Sequence, residues 1–504
     1  MKHCKRLLAV LLAAFTLASM AALHTSAAAD IAIANPYANV NWGTYGQFRT
    51  QLHTHTTASD GTGTLAQMAE AYYAKGYHAL AITDHGIVDR SWTQPNHLRY
   101  SFYRNAPNFS WIVKSQEDKP IEGLTPARLA QLEAGTGRAD GRGMVRVSLG
   151  IEQNPGGGDG MGGLVHVNSF FTDWGNGIPG GEKDFSFAVQ RVAGAGGLSM
   201  INHPTLGFGN RDVPLALVYE AADDYLVNKL QVLFGDAKYK SSLIGMEIHN
   251  ATHDRKLWDV LLRNLAPTGR NIFIIPTDDA HNAQGAVDRR WVVALMPANT
   301  EANLNACLKG GAFFGARRFT GSPVTQGMEL EPQVQFIDGY DDMPPGLQAA
   351  AEPKVTGITA NSGVITIAGD DISLVTWIAD GKVIAQGPSI DLADHIDDIG
   401  AYVRAEIWGA DVVLHTQPFL LTYAGMPAAR PVHPKFKDSG VAATKARKAL
   451  YPFYAMTERL WRKSPEKMDR LYDIGLYKAL FYVVHWPVTG ICWFFYEYIP
   501  SLCK

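Results

Sequence analysis

Four short phrases of this 504-residue chain end in side chains that bind metal ions or move protons: His53-Thr54-His55, Ser59-Asp60-Gly61, Thr83-Asp84-His85-Gly86 and Asp278-Asp279-Ala280-His281. Glu152, His166 and His203 stand between them. Imidazoles and carboxylates in this number suit a multinuclear metal hydrolase. Mixed nitrogen and oxygen donors favour zinc, manganese or iron over calcium or magnesium, and no thiolate joins the set. Ions sharing a bridging water would supply hydroxide near neutral pH and neutralise charge developing on a phosphoryl or carbonyl oxygen. No side-chain nucleophile is then required.

The spacing says which elements must position these groups. In Gln51-Leu52-His53-Thr54-His55 strand alternation points residues i and i+2 to one side, so both imidazoles can reach one ion. Ala79-Leu80-Ala81-Ile82 reads as a short buried strand that delivers Thr83-Asp84-His85-Gly86 at its end, and 271–275 does the same for Asp279 and His281. Residues 65–75 carry Leu65, Met68, Ala69 and Tyr72 at helical spacing, with Gly76 placed to cap the C-terminus. Apolar strands recur at 144–151, 198–201 and 243–248, giving Glu152, His203 and Glu247 comparable positions. Ligands at the ends of strands separated by helices predict an α/β barrel mouth.

The phrases His53-Thr54-His55-Thr56, Ser59-Asp60-Gly61, Ile82-Thr83-Asp84-His85, Asn202-His203-Pro204, Gly245-Met246-Glu247 and Asp279-Ala280-His281 resemble those of the PHP (polymerase and histidinol phosphatase) family of metal-dependent phosphoesterases. The likeness is to its secreted branch, which includes carbaryl-hydrolase-like metallohydrolases, and it runs through residues 46–320. The resemblance implies a distorted (β/α)7 barrel with two or three divalent ions (Zn, Mn or Fe) at its mouth. Carried over residue by residue, it makes His53, His55, Asp60, His85, Glu152, His166, His203, Asp279 and His281 the metal ligands, with Glu152 bridging two ions. Asp84 and Asp278 adjoin ligands and would orient them, which sets imidazole tautomer and basicity. His249 departs from the pattern, which commonly has an aromatic residue there.

Each group also has a plainer reading. A lone His-x-His is ordinarily structural, and His166 in Leu164-Val165-His166-Val167-Asn168 could be a satisfied core histidine. Pro204 after His203 could merely mark a strand end, whereas a buried Glu152 is costly unless paired or metal-bound. Arg211, Arg289 and Arg290 are candidates to hold a substrate phosphate through paired N–H groups, though any one of them also suits a structural salt bridge. The loop 88–138 carries Trp92, Arg99, Arg104 and Trp111, which could line a pocket or cover it.

Composition sets the context. Residues 1–29 show a basic start, an apolar run and Ala27-Ala28-Ala29, the pattern of a secretory signal peptide. This predicts export, to the periplasm by preference. Cys307, Cys492 and Cys503 cannot complete a disulfide framework, although the last two could pair. A net charge of −3 and the absence of a basic or aromatic platform argue against nucleic-acid binding.

Past the barrel, residues 329–425 alternate β-formers with turns, including the hairpin signal Asp380-Gly381, and predict a small antiparallel β-sandwich. Residues 430–504 hold 13 Lys or Arg against 6 Asp or Glu. Within them 479–496 is uncharged and rich in Phe, Trp and Tyr, broken by Pro487 and Gly490. This helical tail reads first as an interfacial anchor for an anionic membrane surface, with a spanning helix or a packed segment as alternatives. It is expected to be dispensable for the chemistry.

The functional reading is a secreted metal-dependent hydrolase of a small-molecule phosphoester. Its alternatives are a carboxylic or carbamic ester hydrolase and a non-catalytic membrane-associated binding protein on the same scaffold.

Overall fold

A computed structural model describes residues 30–95, 119–153, 166–176, 185–205, 225–248, 251–319, 351–438, 441–464, 467, 470 and 476–502. The signal-type segment 1–29, His249, Arg211, Arg99, Arg104, Trp111 and Cys503 lie outside them.

Buried apolar runs become short strands that stop where the ligand phrases begin. Gly46–Gln51 lies parallel to Ala79–Leu80, which lies parallel to Val145–Arg146. Leu198–Asn202, Leu243–Ile248 and Phe273–Pro276 form a second parallel set. The expected helix is present as Leu65–Ala74. Thr64 caps it through a reciprocal bond with Gln67, and Gly76 follows at φ +80°.

The pairing differs from an all-parallel barrel. Ile151–Gln153 runs antiparallel to His166–Phe170, which runs antiparallel to Leu198–Asn202. On the other side Arg290–Met296 runs antiparallel to both Gly46–Gln51 and Phe313–Arg318. The result is a mixed α/β body with an eleven-stranded, a five-stranded and a three-stranded sheet among the described residues. No closed seven-unit ladder forms among the described residues. Two isolated parallel bridges join the sheets, Thr54 with Ala280 and His85 with Glu152. The long run expected at 144–151 is broken by Leu149 at φ 58°, so Glu152 lies in the middle of a new strand, Ile151–Gln153, rather than ending the old one.

The β-rich segment is not set apart by a gap in packing. Val412–His415 extends the larger sheet by pairing with Phe313–Arg318, and Phe419–Thr422 pairs with the N-terminal strand Ala32–Ala34. One apolar cluster runs from Met68 and Tyr72 through Trp291 to Trp377 and Ile407. The Asp380-Gly381 hairpin is present, both residues at positive φ, between Leu374–Ala379 and Lys382–Gln386.

The tail is helical, and its first helix belongs to the body. Val441–Lys463 buries Leu450 and Tyr454 in the cluster that contains Phe187, Leu230 and Trp258. Glu458 meets Arg90 at 2.8 Å and Arg462 meets Asp173 at 3.1 Å. The first tail helix therefore packs on the body, which the expectation of a tail dispensable from residue 424 onward did not foresee. No helix of the described residues is long and apolar enough to cross a membrane.

A buried charge network locks the helix Ala251–Leu265 to the strand Tyr402–Trp408. Arg404 forks onto Asp259 at 2.9 and 2.8 Å, and its third nitrogen shares Glu406 with Arg255 at 3.1 and 2.9 Å. Burial alone would raise the Glu406 carboxyl, but the adjacent Arg255, His415 and Arg404 hold it well below the ordinary range. A carboxylate shifted this way contributes stability that is present above its unfolded pKa and is lost as the pH falls through the folded one. Glu406→Leu leaves two buried guanidinium groups short of a partner. It should lower unfolding free energy by about 3–5 kcal/mol, and the loss should shrink on acidification, both read from denaturant curves across pH.

Candidate metal centre

Most donors in the cluster lie at a strand end or just beyond one; Glu152 lies inside Ile151–Gln153, and Asp60 in the turn that follows His55. Gly46–Gln51 stops one residue earlier than alternation requires, because the Gln51 side-chain oxygen accepts the N–H groups of Leu52 and His53 at 3.0 and 3.1 Å. The chain stays extended past it, and His53 and His55 bring their Nε2 atoms 3.1 Å apart. Two glycines allow the other close approach. Gly86, at φ 65°, donates its N–H to the Glu152 carbonyl at 2.8 Å. A Cβ on Gly150 would stand 2.4 Å from the Ile82 carbonyl oxygen. His203 and Asp279 hold left-handed backbone at φ 22° and 49°, a conformation that costs roughly 1–3 kcal/mol and collects at functional sites.

The nine expected ligands meet in three adjoining groups. In the first, His53 Nε2 and His55 Nε2 lie 3.3 and 3.1 Å from Glu152 Oε2, and 3.2 and 3.1 Å from Asp279 Oδ1. Four donors at about 2.0–2.1 Å from one ion would stand about 3.3–3.4 Å apart at the corners of a tetrahedron. The edges that His53 and His55 make with each other and with the two carboxylates fall just inside that spacing, and His53, His55 and Glu152 form one three-donor group. Although hemmed in by nitrogens, Glu152 Oε2 and Asp279 Oδ1 are buried and make no hydrogen bond of acceptable geometry. Imidazole nitrogens and carboxylate oxygens converging at these separations are a donor set that fits a divalent ion.

In the second group Glu152 Oε1 stands 2.8 Å from His166 Nδ1 and 3.3 Å from His203 Nε2, and these two nitrogens are 3.2 Å apart. In the third, Asp60 Oδ2 lies 3.3 Å from His85 Nε2 and 3.2 Å from His281 Nε2. His85 Nδ1 also reaches Glu152 Oε2 at 3.0 Å. His281 is the most open of these, its side chain 36% exposed, so the cluster is entered from that side.

Electrostatics tie the group together. Burial works against the charged form of His55, and His281 adds to that, yet Asp60, Asp279 and Glu152 outweigh both and lift its pKa to about 9. His281 rises to about 9 against its own burial through Asp60 and Asp279. His166 goes the other way, to about 4, because burial exceeds the pull of Glu152. Glu152 would be raised by burial but is held far down by His166, His85 and His53. Metal ions must displace the imidazole protons, so occupancy should weaken as pH falls.

The two aspartates expected to orient imidazoles do something less direct. Asp84 accepts from the Thr56 N–H at 2.7 Å and the Ser59 hydroxyl at 2.6 Å, bracing the loop that carries His55 and Asp60. Asp278 accepts the backbone N–H groups of Asp288, Arg289 and Arg290 at 2.8–2.9 Å and the Tyr72 hydroxyl at 3.0 Å. It holds an arginine-bearing turn rather than a ligand. Trp92 is buried and donates to Asp89, so it covers the body rather than lining the site.

Two residues escaped the sequence reading. Glu247 was noted as a strand-end carboxylate and given no role. It accepts from His53 Nδ1 at 2.7 Å and from the His203 N–H at 2.5 Å, and it meets the Thr277 hydroxyl. With Nδ1 protonated toward Glu247, His53 aims the Nε2 lone pair at the cluster. Lys119 donates to the Gly61 carbonyl at 3.1 Å, beside Asp60, with no motif to announce it. Glu247→Gln keeps the shape but weakens the acceptor. Metal affinity should drop roughly 10- to 100-fold, measured by competition with a chromophoric chelator, with the folded state retained.

Comparison with known proteins agrees with this geometry. Residues 51–166 match the family model of the PHP domain. No curated protein matches the sequence. Among solved structures the chain is similar to a two-domain Bacteroides vulgatus protein described as containing a PHP-like metal-dependent phosphoesterase. Identity is 10% over 79% of this chain and 91% of that one, with a TM-score of 0.36. PsfC from Pseudomonas syringae is 12% identical over 51% of this chain and 88% of its own, with a TM-score of 0.28. A Bifidobacterium adolescentis protein described as a metal-dependent phosphoesterase is 14% identical over 46% and 87%, with a TM-score of 0.23. These structural likenesses are distant, so the assignment rests on the family match, which spans the first ligand phrases and ends at His166: the chain carries a PHP domain.

Proposed function

We propose that this chain is an exported, metal-dependent phosphoesterase that holds up to three divalent ions, of the Zn, Mn or Fe type, on a distorted barrel-like PHP scaffold. The observation that carries the reading is the convergence of His53, His55 and Glu152 in one donor group, with Asp279 Oδ1 within 3.2 Å of both imidazoles. When bound, such ions acidify a shared water and neutralise charge developing on the substrate's oxygens.

The chain's own groups supply the rest. Glu247 fixes the His53 tautomer, Asp84 braces the His55 loop, and Asp278 sets the turn at Arg289 and Arg290. That turn favours phosphorus over carbon as the reacting centre. Arg290 Nε and Nη1 and Arg289 Nη1 are buried without hydrogen-bond partners, and Arg290 lies within the electrostatic reach of Asp279 and Glu247. Guanidinium N–H groups left open at the edge of a metal cluster match the paired oxygens of a phosphate.

Three measurements test this. Asp279→Ala should abolish turnover of phosphomonoesters and lower metal content by elemental analysis without loss of folding; full activity would overturn the ligand assignment. Exhaustive chelation with verified metal loss should silence the enzyme. Arg290→Met should raise KM for phosphomonoesters roughly 10- to 100-fold, the value of one or two charge-assisted hydrogen bonds, while leaving any carboxylic ester turnover unchanged. Equal losses on both substrate classes would favour the carboxylic or carbamic ester reading. Metal binding with no hydrolysis across the whole panel would favour a binding protein.

A further inference from the structure

The helix Leu476–Trp493 continues through a wider turn at Phe494–Tyr498 into Ile499–Leu502, and it packs back against Val441–Lys463 as a hairpin. Its inner side places Val484 and Val488 on the body's core. The outer side shows Val483, Trp486, Ile491, Trp493, Phe494 and Phe495, several of them half exposed or more, with Val483 at 71% and Phe495 at 58%. Met456 and Leu460 on the neighbouring helix are about half exposed as well, at 50% and 47%. Single exposed apolar residues are ordinary, but a contiguous apolar surface on one element marks an interaction site.

The first helix of the hairpin and the stretch after it carry exposed cations, Lys445, Lys448, Arg459, Lys463, Lys467 and Arg470, and Lys445 lies within electrostatic reach of Cys492 on the second helix. That composition selects the occupant. Protein interfaces are depleted in lysine, whereas aromatic rings beside Lys and Arg are what the boundary of an anionic bilayer accepts. Neither helix is long and apolar enough to cross, so the element would lie in the interface. The rest of the chain carries the opposite charge: of the net −3, residues 430–504 contribute +7. An anionic surface therefore attracts the tail and repels the body.

We infer that the C-terminal hairpin is a docking element for an anionic lipid surface, with the Leu476–Leu502 aromatic face inserted at headgroup depth and the flanking cations on the phosphates. The docking is rigidly transmitted. Glu458 on the first helix holds Arg90 and accepts from Asn176 at 3.4 Å, and Asn176 accepts the Val88 N–H at 3.0 Å, three residues beyond His85. The metal cluster is thus held at a set attitude to the membrane rather than swinging on a tether.

The test uses the chain lacking residues 1–29, co-sedimented with vesicles of phosphatidylglycerol and phosphatidylcholine, or of phosphatidylcholine alone. The unaltered protein should sediment with the mixed vesicles and release on raising salt. The triple variant W493S/F494S/F495S should lose more than tenfold in affinity, with its unfolding transition and hydrolysis of a soluble phosphomonoester unchanged. Lys445→Glu with Lys448→Glu and Lys463→Glu should abolish the preference for phosphatidylglycerol. Indifference of the unaltered protein to anionic vesicles at low salt would overturn the proposal. So would a dimer, seen by light scattering and broken by the triple aromatic variant, in a protein that ignores lipid.

Discussion

Glu152 is a fully buried carboxylate with nitrogen donors on both oxygens, and the architecture around the site is arranged to make that tolerable. Oε2 faces His53, His55 and His85, while Oε1 faces His166 and His203 and accepts from Asn202 at 2.8 Å. An ionised carboxylate cannot sit in such a place without positive charge beside it. Five imidazoles must therefore arrive from four separate stretches of chain. The strands are short because each needs only to reach this point. The bridge between His85 and Glu152 and the bare backbone at Gly150 exist because any bulk there would hold the sheets apart.

Much of this was legible in the residues. His53 and His55, Asp60, His85, Asp279 and His281 sit in compact phrases at the ends of apolar runs, and a run that stops in ligand-type residues says where a strand opens onto a site. Glu247 was harder, since a single carboxylate ending a strand looks the same whether it binds an ion or steadies a histidine. Only the 2.7 Å contact with His53 separates the two. Strand direction was not legible at all. Runs such as 166–170 and 198–202 are buried throughout, and nothing in their residues says which way they pair. The antiparallel turn at Glu152 thus had no signature except Leu149, whose left-handed backbone cannot be read from its identity.

The C-terminal segment shows a different limit. Its charge and its aromatic residues mark it as unlike the rest, and 483–502 leaves rings such as Trp493 and Phe495 half exposed. The contrast hid the opposite fact about 441–463, where Leu450 and Tyr454 are core residues spaced along a helix that looks basic overall. A helix can present cations to water and still bury a narrow stripe. Average composition over seventy residues erases such a stripe.

The pairing of Ala32–Ala34 with Phe419–Thr422 bears on how the chain comes to be folded. The larger sheet takes its edge strand from the start of the body and that strand's partner from near its end. A nascent chain emerging in order cannot complete this sheet until almost all of it has been made. Contacts between such remote residues delay closure, because loop entropy is lost before any pairing is gained. Under the export proposed above, that delay is an advantage: a sheet that closes late leaves the polypeptide open for passage through a membrane pore.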